Sequence, residues 1–232
     1  MIIPAAGGGG GPGYARFTYD AVLFPPEAEY DYIVVGGGTA GCPLAATLSA
    51  SHTVLLLERG RPPDDFPSLR SADGFLATLA AAGLPDSPAQ AFASVEGVPN
   101  ARGRVLGGSS AINAGFYSRA HPAFFNDSGV EWDPRLVDES YEWVERAVAF
   151  RPELRNWQSA VRDGLIEAKV TPYNGFTVHH VEGTKIGAST FDSSGRRHSA
   201  ADLLGFANAA NLRVATRASV DRILLNSNPP SG

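Results

Sequence analysis

The sequence predicts an α/β fold of the Rossmann-like kind, a parallel sheet wrapped by helices, with a partial α+β cap. Two observations predict it. The first is Tyr30-Asp-Tyr-Ile-Val-Val-Gly-Gly-Gly-Thr-Ala-Gly-Cys42, which reads as a buried strand, a glycine turn and the start of a helix; Gly36, Gly38 and Gly41 take the three glycine positions of G-x-G-x-x-G. The second is Leu55-Leu-Leu-Glu58, an apolar strand ending in a carboxylate 20 residues past Gly38. That is where a dinucleotide fold needs an acceptor for the ribose hydroxyls. The pair predicts an FAD/NAD(P)-binding domain. Each glycine has a reason: Gly36 allows the tight turn, Gly38 lets a pyrophosphate approach the backbone, and Gly41 lets the helix pack close to the sheet. The helix beginning near Thr39 aims unpaired N–H groups and its positive dipole end at the phosphates.

The elements follow in order. Residues 1–13 are Gly/Pro-rich and expected to be disordered, and 1–29 as a whole to form a flexible N-terminal arm. Strand one is expected over 31–35, its helix over 39–50 and strand two over 53–58. Gly60-Arg-Pro-Pro ends that strand in a turn. Residues 62–100 read as long loops with a helix near 72–82. A second glycine turn begins at Arg102. Apolar residues at helical spacing predict amphipathic helices over 137–150 and 156–169. Residues 175–187 read as extended. A helix is expected over 199–210, with Ser199 as N-cap and Asp202 at the third position in an acidic variant of the capping box. Residues 212–225 suit two strands broken by a turn near Arg217. Residues 226–232 read as a polar tail.

Composition removes several classes of function. A net charge of −5 and a pI near 5.5 argue against nucleic-acid binding through a basic surface. No apolar run reaches 18 residues, so no membrane span is expected. The opening Met-Ile-Ile-Pro-Ala-Ala and its five glycines lack the basic and apolar regions of a signal peptide; the compartment stays open. The single cysteine, Cys42, is expected to pack against the sheet as a small hydrophobe. His179 and His180, read as neighbours on a strand, would point to opposite faces, and with His198 distant no metal site is expected. Arg196-Arg197-His198 reads as a solvated turn, and Trp132, Trp143 and Trp157 as core. Gly108-Ser-Ser lacks the G-x-S-x-G elbow of a hydrolase.

The second glycine turn, Gly103-Arg-Val-Leu-Gly-Gly-Ser-Ser-Ala-Ile-Asn113, sets two glycines and two hydroxyls together. Continued to Tyr117 and Ala120, it resembles the first signature of the glucose–methanol–choline (GMC) flavoprotein oxidoreductases. Further resemblance lies in Leu57-Glu58-Arg59, Asn113-Ala-Gly-Phe-Tyr117, Tyr141-Glu-Trp-Val144, Gly183-Thr-Lys-Ile-Gly187 and Gly195-Arg-Arg-His-Ser-Ala-Ala-Asp-Leu-Leu204. It is strongest to the plant branch that includes HOTHEAD-like proteins and mandelonitrile lyases, and it runs over about 17–225.

The resemblance implies a discontinuous FAD-binding domain over 30–126 and 183–225, with 127–182 as a partial cap. It implies FAD as cofactor, with Thr39 and Ala40 flanking the pyrophosphate and Glu58 and Arg59 holding the adenosine ribose region. Val105, Gly108 and Ser109 would line the middle of the cofactor. Asn113, Ala114, Gly115 and Phe116 would approach the isoalloxazine, and Val220 would meet the adenine through its backbone. It implies small-molecule alcohol or cyanohydrin substrates, with hydride transfer from an alcohol carbon to FAD or, in the lyase branch, cyanohydrin cleavage without net redox change. The family's catalytic His belongs to a C-terminal substrate domain that these residues do not match, so no catalytic residue is assigned and the isolated chain is expected to be inactive. An NAD-dependent dehydrogenase and a non-catalytic remnant are the alternatives. Glu58 suits either adenosine ribose, and the Gly107-Gly108-Ser109 turn favours FAD.

Overall fold

The computed structural model describes residues 13–24, 26 and 29–225; the expected disorder of the first dozen residues and the expected tail lie outside them. The centre is a four-stranded sheet. Its strands are β1 (Thr18–Asp20), β2 (Tyr32–Val35), β3 (Val54–Glu58) and, late in the chain, β10 (Leu212–Thr216), in the order β1-β10-β3-β2, all parallel. Helix α1 (Gly41–Leu48) makes the crossover between β2 and β3, as parallel neighbours require.

The two inner strands are the apolar ones. Val54, Leu55 and Leu56 of β3 and Leu212, Val214 and Ala215 of β10 are buried; β3 is buried on both faces and reads as a continuous apolar run, whereas Arg213 interrupts β10 and is exposed. The small residues Cys42, Ala45 and Ala46 of α1 are buried, and α1 packs against a 3-10 helix over Ala200–Phe206. Cys42 is fully buried, as expected. Leu106, Leu204 and Tyr14 complete that core, and Phe66, Leu69, Ala89, Val105, Ala111 and Ile112 form a second one beside it. Part of the expected arm is thus built into the domain: Tyr14 and Phe17 are buried, and β1 is an edge strand.

Between β3 and the second glycine turn lie short 3-10 turns, α2 (Phe75–Ala80), and an antiparallel hairpin of β4 (Ala89–Ala93) and β5 (Pro99–Gly103). The loop expected over 62–100 therefore hides a hairpin, because Ala-rich strands with a Pro and an Asn carry little β signal. The helix expected near 72–82 is shorter. It begins only after Gly74, which packs against the Ser68 backbone.

The region from 116 to 189 contains β6 (Phe116–Tyr117), α3 (Pro122–Asp127), α4 (Pro134–Val148), α5 (Asn156–Glu167), β7 (Tyr173–Phe176), β8 (Thr184–Ile186) and β9 (Ala188–Ser189). α4 starts at Pro134 under the Asp133 cap, whose side chain accepts from the amides of Arg135 (2.9 Å) and Leu136 (3.4 Å). Trp143, Val144 and Ala147 turn its apolar face onto the main core. Arg119, in the segment between β6 and α3, holds α4 through a bidentate pair with Glu145 at 2.7 and 2.8 Å.

Four local expectations change. Residues 199–210 form the 3-10 helix over Ala200–Phe206; its capping box is present, with Ser199 N–H donating to Asp202 at 2.8 Å. β10 ends at Thr216, just before Arg217, where φ is +58°, and no second strand follows among the described residues. His179 and His180 sit in a bend and line one hollow together. Trp143 packs on the core, but Trp132 and Trp157 are 44% and 75% exposed.

Candidate functional site

A cleft of about 480 Å³ opens at the carboxyl ends of β2, β3 and β10, the place where open parallel sheets bind ligands. Its walls are the first glycine turn (Gly36, Gly38, Thr39), the end of β3 (Glu58, Arg59), the second glycine turn (Gly108, Ser109) and the segment after β10 that includes Val220. Eight of the residues expected at the cofactor are thus brought together from four separate parts of the chain.

The two glycine turns touch. Gly107 N–H donates to Gly37 O at 2.7 Å. A Cβ on Gly108, which has φ +58°, would lie 2.6 Å from Gly38 Cα. A Cβ on Gly41 would overlap the Gly36 carbonyl, so the third glycine does allow the helix to sit close to the turn. A Cβ on Gly38 would meet nothing nearer than Gly108 Cα at 3.8 Å. Space for a side chain exists there, and it belongs to the cleft. The amides of Gly38, Thr39 and Ala40 donate to no protein group among the described residues, and Ala40 caps α1 without a side-chain hydrogen bond. These free donors at a helix start, on a floor of glycine, fit a pyrophosphate.

Glu58 does more than its spacing suggests. It is 6% exposed. Its Oε2 accepts from Gly37 N–H at 2.9 Å and its Oε1 from Gly60 N–H at 2.7 Å. The carboxylate clamps the first glycine turn to the end of β3 while still lining the cleft. Burial pushes its carboxyl above the ordinary value, against the two amides that favour the ionised form. Each oxygen has a second lone pair for a hydroxyl donor. Gly37 was missed by sequence reasoning. A Cβ there would lie 2.6 Å from Leu106 Cδ1, and the signal was the unbroken run of three glycines.

The remaining expected residues lie elsewhere. Ala40 and Gly41 stand behind the turn at the start of α1. Val105 is fully buried in the second core, so its side chain does not line the cleft. Ala114, Gly115 and Phe116 border a separate hollow with Trp157 and Leu165 of α5. Asn113 is exposed and is held by Arg197 through Nη1–Oδ1 at 3.1 Å and Nη2–O at 2.8 Å. Arg197 itself is 8% exposed, and the expected solvated turn is partly buried: His198 lies between Asp192 (3.0 Å) and Asp202 (3.6 Å) and against the Phe150 ring. Burial drives His198 down, and the hydrogen bonds and charges of Asp202 and Asp192 outweigh it, so the ring titrates above its ordinary value.

A parallel sheet with a glycine turn, an acidic strand end and a second glycine turn defines a dinucleotide-binding flavoprotein domain. The sequence matches the GMC oxidoreductase family over residues 30–231, and the chain belongs to that family. It is 64% identical to the (R)-mandelonitrile lyase-like protein of Arabidopsis thaliana over 94% of this chain and 40% of that one. It is 51% identical to sinalpyl alcohol oxidase Nec3 of Nesocodon mauritianus, again over 94% of this chain and 40% of that one. Among solved structures, pyridoxine 4-oxidase from Mesorbium loti superimposes with a TM-score of 0.66 at 28% identity, over 86% of this chain and 44% of that one. The chain spans about 40% of the length of these relatives and is an FAD-binding N-terminal part of a GMC flavoprotein. Its cofactor is FAD, which sets aside the NAD-dependent reading. No helix among the described residues is long and apolar enough to cross a membrane.

Proposed function

We propose that this chain holds FAD for an oxidoreductase acting on the CH–OH group of a small-molecule alcohol. The cleft at the carboxyl ends of the sheet carries the reading, since it joins both glycine turns, Glu58 and Val220 around free helix-start amides. The amides of Gly38, Thr39 and Ala40 would bind the pyrophosphate. Glu58 and Arg59 would take the adenosine ribose, Gly108 and Ser109 the middle of the cofactor, and the Val220 backbone the adenine. Residues 113–116 would approach the isoalloxazine. When bound, FAD supplies the hydride acceptor, and the protein supplies position and electrostatics. In this reading residues 30–126 and 183–225 are the cofactor domain and 127–182 part of the cap. No residue here is assigned to the proton transfer that accompanies the hydride.

Cleavage of cyanohydrins is the second reading, supported by the name of the 64%-identical relative. Two measurements test the proposal. FAD titration should give saturable binding to the chain and none to Gly38→Val, whose side chain would fill the cleft while the fold is kept. No FAD uptake by the unsubstituted chain would favour a non-catalytic remnant. Aromatic alcohols and mandelonitrile, assayed side by side with a longer protein carrying this chain, separate oxidation from lyase chemistry.

A further inference from the structure

We propose that Arg197 positions the turn at residues 113–116 and acts on the flavin by an unpaired positive charge; this rests on the reading that the turn approaches the isoalloxazine. A buried charge is costly unless it is paired, and Arg197 is 8% exposed. No carboxylate pairs with it among the described residues, and its buried Nε has no partner. The acids nearest in sequence are engaged elsewhere: Asp192 and Asp202 face His198. Burial lowers the guanidinium to about 10, which leaves it charged at neutral pH.

Both guanidinium NH2 groups are spent on one residue. Nη1 donates to Asn113 Oδ1 and Nη2 to Asn113 O. Asn113 Oδ1 also accepts from Gly115 N–H at 2.9 Å, closing a tight turn in which Gly115 has φ +83°. Phe191 supports both partners. Its ring centroid lies 4.4 Å from the guanidinium carbon, and a Cβ on Gly115 would come within 2.6 Å of Phe191 Cδ2. Thr190 N–H holds Gly115 O at 2.8 Å, and Arg197 N–H is fixed to Arg70 O at 2.9 Å. The turn is over-determined from behind, while Asn113 and Phe116 face outward. A fixed cation without a counter-charge also favours any group that gains negative charge nearby, and reduction adds two electrons to the flavin.

The test uses the chain saturated with FAD, with the flavin reduction potential measured against a reference dye. Arg197→Met removes fork and charge and should lower the potential by about 30 mV or more, tenfold in a two-electron equilibrium. Arg197→Lys keeps the charge without the fork, so the potential should return most of the way while protection of the Gly115 amide from hydrogen exchange is lost. Asn113→Asp keeps both acceptors and supplies the missing counter-charge; it should lower the potential without lowering the unfolding temperature, and it carries the test if Arg197→Met does not fold. An unchanged potential in Arg197→Met, or in Asn113→Asp in that case, overturns the proposal. Phe116→Trp separates the two readings, because an indole beside the isoalloxazine quenches its fluorescence. If the fluorescence of bound FAD is the same as in the unsubstituted chain, the turn does not approach the isoalloxazine and that reading is wrong; if it is quenched while the potentials of the other variants do not move, only the role of Arg197 fails.

Discussion

Replacing Glu58 by Gln isolates the clamp between the first glycine turn and β3. The carboxylate accepts from Gly37 N–H at 2.9 Å and Gly60 N–H at 2.7 Å, and the residue is 6% exposed. Gln has one acceptor oxygen and one donor NH2 group. It can serve one amide and must set N–H against N–H at the other. A hydrogen bond to a charged group contributes about 1.5–3 kcal/mol, and a buried amide left unsatisfied costs a similar amount. Burial already works against the ionised carboxyl, so the lower part of that range, about 1.5–2 kcal/mol, is the expected loss. Ala would remove both bonds and cost about 3–4 kcal/mol, a large share of the roughly 5–15 kcal/mol of a typical domain. The assay is urea unfolding without cofactor. At an m-value of about 2 kcal/mol/M, Gln should lower the midpoint by roughly 1 M. An FAD titration of the folded protein then tests the proposed ribose contact separately, where Glu58→Ala is expected to weaken binding by roughly 10- to 150-fold. A Gln variant as stable as the parent without FAD would refute the clamp; lost stability with unchanged FAD affinity would refute the ribose contact alone.

Three further outcomes follow from the geometry. Gly41→Ala should destabilise the cofactor-free chain far more than Gly38→Ala, because the new methyl meets the Gly36 carbonyl at 41 and only Gly108 Cα, at 3.8 Å, at 38; equal unfolding midpoints would contradict the packing. His198 has a folded pKa above its unfolded value, so its contribution to stability is complete below about pH 6.5 and is lost as pH rises through the folded value. His198→Gln should therefore flatten the stability profile above that pH, and parallel profiles would exclude the pairing with Asp192 and Asp202. Cys42 is fully buried and its thiol is pushed up to about 12, so a thiol reagent at pH 8 should label the chain only after unfolding; rapid labelling of the folded chain would place Cys42 at the surface.

Much of the site was written locally. The three glycines, Glu58 at its spacing and the Gly107-Gly108-Ser109 turn each follow from backbone needs that only certain residue types meet, so their places in the turns and at the strand end were readable without coordinates. The Ser199–Asp202 capping box was readable for the same reason, since its groups lie within one turn of chain. The hairpin of β4 and β5 was not, because its strands owe their pairing to cross-strand contacts and burial more than to their own propensity. Nor was the place of β1 in the sheet: Thr18 pairs with Val214, almost two hundred residues away. Only the folded chain could turn Arg197 inward onto Asn113, 84 residues distant, or give Glu58 two amides to hold. Local sequence sets which conformations and which donors are available. Which partner a buried polar group finds is decided by the segments that packing brings beside it, because a desolvated charge must be answered by whatever lies within hydrogen-bond reach.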